Sequence, residues 1–499
     1  MSFSKNHSVN SEWFYFFTLN AHNQGFTKQI NAMKKLILVI LFMLSYGSSI
    51  AQNNKFSEDS PGRYLLGFQE FTGNNPNADS AYYCIQKLNS RKEFKNIFEM
   101  IIHSYFAMGF VQKDLSKLDS MKVIEEVKKR VLYKKILAKI MTDTSQNLIA
   151  TVKPIFYLSR IQDNQDKVSE VKKLTKGFID SQLSPNLIYA NKTATYGLMI
   201  YQIIAKKGAM KPLSQQLFGK ISTHLKDNQI VDSETLERRL LERRGWYRYL
   251  YGYVNFVKAN ETNDVFMKEN YLNMAYQYSP DRRDQIFSSS YFYDSMILGK
   301  DGFSEDYLNF LENNSTDKNK VLPILLSIAL LEPSNKDRLK RHFLKDNSSE
   351  NNFNKFWLEA VNNSGKNAPE ISLSQLNTKV FDSKELTDKW ILLDFWGTWC
   401  GPCRAEHPEL QTFYDSFITK NNKKIVLMTV ACRDKKEEVL SYMKEKNYTF
   451  PVAMEDDKIA KNYDIQGYPT KILISPQGKY IIIPLNADFI NFVKEYTNL

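Results

Sequence analysis

Two thiols placed three positions apart carry most of the chemical information in this chain. They are Cys400 and Cys403, in the run Trp399-Cys400-Gly401-Pro402-Cys403. Two intervening residues let both sulfurs meet within one turn and close a small disulfide. The apolar run before them reads as a buried strand and the residues after them as a helix, which puts Cys400 at a helix N-terminus. Free backbone N–H groups and the helix dipole favour negative charge there. A thiolate is the nucleophile in disulfide exchange, so this position raises reactivity at neutral pH. In this reading Cys400 is the exposed attacking thiol, and Cys403, one turn in, resolves the mixed disulfide. A CxxC pair is also half of many zinc sites, which usually want four ligands. The chain has only two other cysteines, Cys84 and Cys432, and its six histidines are scattered, so no metal is expected.

The surrounding residues narrow the choice. The run 394–410, DFWGTWCGPCRAEHPEL, resembles the thioredoxin superfamily, and within it the exported TlpA/ResA-type thiol–disulfide oxidoreductases. The resemblance covers residues 368–499 in several separate motifs. Ala368-Pro369-Glu370-Ile371 matches the family's opening segment, although Thr378 stands where that segment commonly has glycine. Asp394 matches the buried thioredoxin carboxylate, and Glu406 the acidic residue that follows the motif in this subgroup. Pro408 matches the proline that kinks the active-site helix. Tyr468-Pro469-Thr470 matches the segment whose proline is cis, with Phe450-Pro451-Val452 and Asp464-Ile465-Gln466-Gly467 around it.

The resemblance implies a redox-active Cys400–Cys403 disulfide, an active-site loop through Gly401 and Pro402, and no cofactor. Asp394, if buried, has a raised pKa and accepts the Cys403 proton. Glu406 does related proton work nearer the surface, or is a solvated helix residue. A cis Pro469 sets the backbone of Tyr468, Pro469 and Thr470 beside Cys400 as an edge for an extended substrate segment. Trp399 shields the disulfide and offers an apolar contact. Cys432, after the second buried strand, is either a third redox thiol or an inert buried one. Cys84 reads as structural.

These residues need a scaffold, and the pattern around them supplies one. Residues 391–396, 425–431, 472–474 and 480–483 read as strands, and 402–417, 434–446, 456–463 and 488–496 as helices. Ser475-Pro476-Gln477-Gly478 is a hairpin turn. Together they give an α/β layered domain over 370–499, which the resemblance implies is a thioredoxin fold. The polar stretch 363–369, with Gly365 and Pro369, reads as a linker. Ahead of it, 52–362 reads as helices and little else. Phe94, Ile97, Phe98, Ile101, Ile102, Tyr105 and Phe106 form one apolar stripe, and Leu132, Ile136 and Ile140 another. Asp232 or Ser233 is placed to cap a helix that carries Leu236 and Leu240. Residues 322–331 form a very apolar helix interrupted early by Pro323. Pro154, Gly177, Pro185, Pro212, Pro280 and Pro333 punctuate the rest. No fixed repeat period is present, so the expected fold class is multidomain: a mainly α-helical bundle or solenoid-like region followed by the α/β domain.

Residues 33–51, MKKLILVILFMLSYGSSIA, have the three parts of a secretory signal: Lys34 and Lys35, an apolar run, and a small-residue site ending at Ala51. The apolar run is shorter than the roughly 20 residues that span a bilayer, so no stable membrane anchor is expected. Residues 1–32 carry no pattern; they are an extension, or translation starts at Met33. The formal net charge is +12, but the lysines alternate with acids, as in Glu125-Glu126-Val127-Lys128-Lys129-Arg130. That is the composition of solvated helix faces. There is no zinc-finger or RNA-binding signature, so nucleic acid is not an expected partner. The stretch Arg243-Arg244-Gly245-Trp246-Tyr247-Arg248-Tyr249 is either a peptide or polyanion groove or helix packing with snorkelling arginines.

The expected function is that of an exported thiol–disulfide oxidoreductase of the periplasm or another extracytoplasmic space. Its partners would be protein thiols and disulfides and a membrane or periplasmic electron donor. A reading of another class makes the helical half a binding or scaffold module, with the thioredoxin-like domain as a tethered accessory.

Overall fold

The computed structural model describes residues 60–111, 118–231, 237–281, 284, 290–314, 318–345, 349–386, 388–456, 458–465, 467–484 and 487–499. Residues 1–32, the signal segment 33–51, the expected caps Asp232 and Ser233, Leu236 and Gln466 lie outside them. The chain divides into two units, one of Lys55–Ser364 with Asn491–Leu499, the other containing Gly365–Ile490.

The first unit is helical. Helices adjacent in sequence pack on each other, as Pro61–Thr72 does on Ala78–Asn89 and Arg238–Glu261 on Val265–Gln277. Several starts are set by side-chain caps that satisfy free amides: Asn77 accepts from the Ser80 amide at 3.0 Å, and Asp264 from the Met267 amide at 2.8 Å. Both expected apolar stripes are realised, with Phe98, Ile101, Ile102, Phe106, Ile136 and Ile140 buried in one continuous core. Among the described residues no helix is long and apolar enough to cross a membrane.

Only part of the expected punctuation breaks the chain. Pro185, Pro212 and Pro333 open helices, where a missing N–H costs nothing. Gly177, Pro154 and Pro323 instead lie inside helices, at Val168–Gln182, Gln146–Asp163 and Lys318–Leu331. Pro154 removes the donor that the Ala150 carbonyl would use, and the Asn191 side chain supplies another at 3.3 Å.

The arginine-rich stretch is helix packing rather than a groove, with the exposed Arg243 laid over the Tyr189 and Tyr247 rings. Trp246, Tyr247 and Tyr249 are buried, and so is Arg244. Arg244 pairs with Asp284 and, at 3.0 Å, with Asp281, while Arg248 Nε reaches Asp284 at 3.0 Å.

The second unit is an α/β domain. Its strands are β1 (Lys366–Asn367), β2 (Ser372–Ser374), β3 (Val380–Asp382), β4 (Trp390–Trp396), β5 (Ile425–Ala431), β6 (Val452–Met454), β7 (Thr470–Ile474) and β8 (Lys479–Ile483). A six-stranded mixed sheet runs β1-β8-β7-β4-β5-β6, and β2 and β3 form a separate hairpin. Strands β4, β5 and β6 are parallel; β7 runs against β4, and β8 against β7. All seven residues of β4 are buried, as befits a central strand covered on both faces. In the β2–β3 turn Thr378 has φ +69°, a left-handed conformation that suits glycine and strains a β-branched residue.

Two expected boundaries move. The stretch 363–369 is not a free linker: the helix Glu350–Ser364 runs into it, and Lys366–Asn367 pairs with β8. Gly365 suits the close approach at that junction, because a Cβ would stand 3.1 Å from the Tyr480 carbonyl oxygen. At the other end, Asn491–Leu499 belongs with the helical unit rather than with the 370–499 domain. The Trp357 indole donates to the Tyr496 carbonyl at 3.3 Å, and the Tyr496 hydroxyl donates to the Leu330 carbonyl, which gives those residues their place in that core.

Replacing Arg244 by Met leaves the buried Asp284 with Arg248 as its one remaining cation among the described residues. We expect roughly 3–5 kcal/mol of lost stability in the urea unfolding of the helical unit. Asp284→Asn in the same chain should recover a measurable part of it.

Candidate active site

The redox pair sits where β4 hands over to the helix Gly401–Phe413. Cys400 is the cap of that helix: its sulfur accepts from the Cys403 amide at 3.3 Å, and its own amide donates to the Gly397 carbonyl at 2.9 Å. Cys400 and Cys403 form a disulfide, with Cα atoms 5.3 Å apart. Cys400 is not exposed as expected, being 4% accessible against 1% for Cys403. Its sulfur is bonded to that of the more deeply buried Cys403.

The loop between strand and helix is tied down from the sheet. The Thr398 amide and hydroxyl donate to the two oxygens of Asp434, at 2.5 and 2.6 Å. The Trp399 indole donates to the Cys432 carbonyl at 3.0 Å and meets the Tyr468 ring edge-on at 5.3 Å. Trp399 remains 39% accessible, an apolar surface fixed beside the disulfide. Gly397 is obligatory, since a Cβ there would lie 2.4 Å from the indole nitrogen. The Tyr468–Pro469 peptide is cis, and Thr470 begins β7.

The helix is anchored further along. Gln411 accepts from the Thr449 amide at 2.7 Å and donates to the Thr449 hydroxyl at 2.8 Å. His407 Nδ1 meets the Tyr442 hydroxyl at 2.9 Å. Burial, then the charges of Lys471 and Arg404, push the His407 pKa down to about 3, so the ring is neutral.

Asp394 is 2% accessible. Burial raises its pKa to about 6, the Lys471 charge working against that and Glu406 with it. The antiparallel register sets Asp394 opposite Lys471, and their charged atoms lie 3.3 Å apart. From the helix, Glu406 reaches the same lysine at 2.5 Å. Glu406 is therefore part of the charge cluster, not a fully solvated helix residue. Sequence reasoning misses Lys471, Asp434 and Gly397, and the one available signal is a lysine inside an otherwise apolar strand.

Cys432 is fully buried and its thiol is pushed up to about 12, chiefly by burial, which fits an inert cysteine. Cys84 is likewise buried, with its thiol raised to about 11. Among the described residues no group of His, Cys, Asp and Glu is arranged to hold a metal ion.

Residues 364–481 match the AhpC/TSA family. The chain is similar to the thiol-disulfide oxidoreductase ResA of Bacillus subtilis (strain 168), 31% identical over 136 residues, which are 27% of this chain and 74% of that protein. It is similar to a ResA of Bacillus cereus, 31% identical over 118 residues, 23% of this chain and 66% of that one. A solved structure, the thioredoxin domain of a thiol-disulfide oxidoreductase from Bacteroides vulgatus, is 27% identical; the match has a TM-score of 0.25 and covers 27% of this chain and 97% of that domain.

Burial of Asp394 carries a stability signature. Between the ordinary 3.8 and about 6 the folded state holds a proton that the unfolded state has released. Stability from this group is therefore complete below 3.8 and is lost as pH rises through about 6. The loss amounts to roughly 3 kcal/mol. Asp394→Asn should raise the melting temperature at pH 7.5, and the gain should shrink toward zero below pH 4.

Proposed function

The chain belongs, through its C-terminal domain, to the ResA-type thiol–disulfide oxidoreductases, and from that premise we propose an exported enzyme that reduces or exchanges disulfides in extracytoplasmic proteins. The observation that carries this reading is the Cys400–Cys403 disulfide at a helix N-terminus beside a cis-proline edge. Export is supported by the charged, apolar and small-residue segments of 33–51.

The chemistry follows from the geometry. In the reduced form, the helix N-terminus and the Cys403 amide stabilise the Cys400 thiolate. It attacks one sulfur of a substrate disulfide, giving a mixed disulfide and releasing one substrate thiolate. An extended substrate segment pairs with the backbone at Tyr468, Pro469 and Thr470 and rests against Trp399. The Cys403 thiol passes its proton to Asp394. Its thiolate then attacks the Cys400 sulfur, which closes the protein disulfide and releases the second substrate thiolate. Two electrons go to the substrate, and an external dithiol donor must return them.

A second reading gives the helical unit the task of recruiting substrates. It is supported by the large buried core that this unit builds from Tyr64 to Phe303. Tethering would raise the local concentration of whatever the helices bind.

The full chain should reduce insulin with a dithiol as reductant, and Cys400→Ser should abolish this. Cys403→Ser should leave proteins covalently held on Cys400 when expressed in an exporting cell. Gly401 and Pro402 between the cysteines favour the reducing end of the scale, so the measured potential should lie nearer about −270 mV than about −120 mV. A value at the oxidising end overturns the reductase direction.

A further inference from the structure

Lys471 is a buried cation with no place in the steps above. It is 7% accessible, in a strand whose next three residues are all apolar and buried. Its ammonium lies 3.3 Å from Asp394, 2.5 Å from Glu406 and 4.7 Å from the centre of the Phe489 ring. Among the described residues, Asp394 Oδ1 has no hydrogen-bond partner besides that ion pair. A buried ammonium needs one carboxylate for neutrality; this one has two. With both carboxylates ionised, the cluster carries one uncompensated negative charge, with Asp394 and Lys471 buried and Glu406 partly exposed, and a single proton relieves it. One proton is what the resolving step releases.

We infer that Lys471 is a positioning residue that joins Asp394 and Glu406 into a single one-proton acceptor for the Cys403 thiol. The inference rests on the reading of this domain as a disulfide reductase. Lys471 acts through Asp394: its charge keeps that buried carboxylate ionised at neutral pH, when burial alone would leave it protonated and unable to accept. Its location adds a second consequence. Lys471 lies two residues beyond the cis Pro469, on the strand that begins at the substrate-binding edge, so one short segment holds both the substrate backbone and the acceptor's counter-ion.

The other ionisable groups around the cluster do not titrate near neutrality. His407, on the same helix as Glu406, is neutral with a pKa of about 3. Arg404, on the same helix, acts on His407 by its charge. The Cys432 thiol, after β5, stays protonated up to about 12. Phe489 faces Lys471 with an uncharged ring. The pH dependence of the resolving step therefore reports Cys403 and the Asp394–Glu406–Lys471 cluster.

The test is the reaction of the reduced full chain with 5,5′-dithiobis(2-nitrobenzoate), followed by stopped flow across pH 5–9. The Cys400 thiolate releases one thionitrobenzoate and forms a mixed disulfide. Cys403 then attacks Cys400 and releases the second, while its proton goes to the cluster. In Lys471→Gln the rising limb of the second phase should move up by about one pH unit, making that phase roughly tenfold slower at pH 7. The first phase should change less. Lys471→Arg should restore the wild-type limb, and Lys471→Gln should add nothing in an Asp394→Asn background. Lys471→Met is measured alongside, so that the variant that folds decides. An unshifted limb, or slowing that adds to that of Asp394→Asn, overturns the inference. A wild-type chain that releases no second equivalent overturns the reductase reading itself.

Discussion

A charged carboxylate fixed on a strand with no exposed residue is the constraint around which the C-terminal domain is arranged. Strand β4 alternates its side chains, so Trp390, Leu392, Asp394 and Trp396 share one face, and every one of them is buried. An isolated charge there is prohibitively expensive, and the fold must bring compensation to it. Two elements do so. The antiparallel neighbour β7 presents Lys471 in register, and the active-site helix presents Glu406 to the same lysine. The helix is held in turn by Gln411 and His407, whose partners lie beyond β5. The placement of Cys400 at the helix cap and the placement of the charge cluster on the helix's inner side are thus consequences of one anchoring.

The path from sequence to this site is uneven for physical reasons. Local signals read well. The CxxC spacing, the strand-to-helix transition and the apolar flanks of Asp394 all lie within a few residues of each other, and β5 appears where its uninterrupted apolar run places it. Pairings between distant segments do not read. Lys471 becomes meaningful only once β7 lies antiparallel to β4, because register decides which residues face each other. Asp434 tethers the Trp399 loop from the far side of β5, and no spacing rule connects the two. Short strands such as β1 and β6 escape because two or three residues carry no periodicity.

In the helical unit the stripes are legible and the breaks are not. Proline and glycine signal a local cost, and tertiary contacts decide whether the chain accepts it. Pro154 stays inside its helix because Asn191 serves the orphaned carbonyl. The arginine-rich segment shows the same limit. Interleaved basic and aromatic residues allow a groove or helix packing, and Arg244 is buried because Asp281 and Asp284 meet it from a separate segment. Charge in a sequence is a statement about partners, and those partners are invisible until the chain has folded.

In the proposed resolving step, the value of about 6 for Asp394 is a compromise between two requirements on a proton acceptor. Such a group must be ionised before the step, yet not so acidic that transfer from a thiol is steeply uphill. An ordinary aspartate near 3.9 lies about 4.6 units below an ordinary thiol near 8.5, a gap of roughly 6 kcal/mol. At about 6 the gap shrinks to roughly 3.4 kcal/mol, and the carboxylate is still about ten to one ionised at pH 7. Burial supplies the upward push and Lys471 limits it. Without burial the acceptor is too weak a base, and without the lysine it already holds a proton. The instability that Asp394 brings to the neutral-pH fold is the thermodynamic counterpart of that tuning, since the desolvation that raises its pKa also destabilises its ionised form.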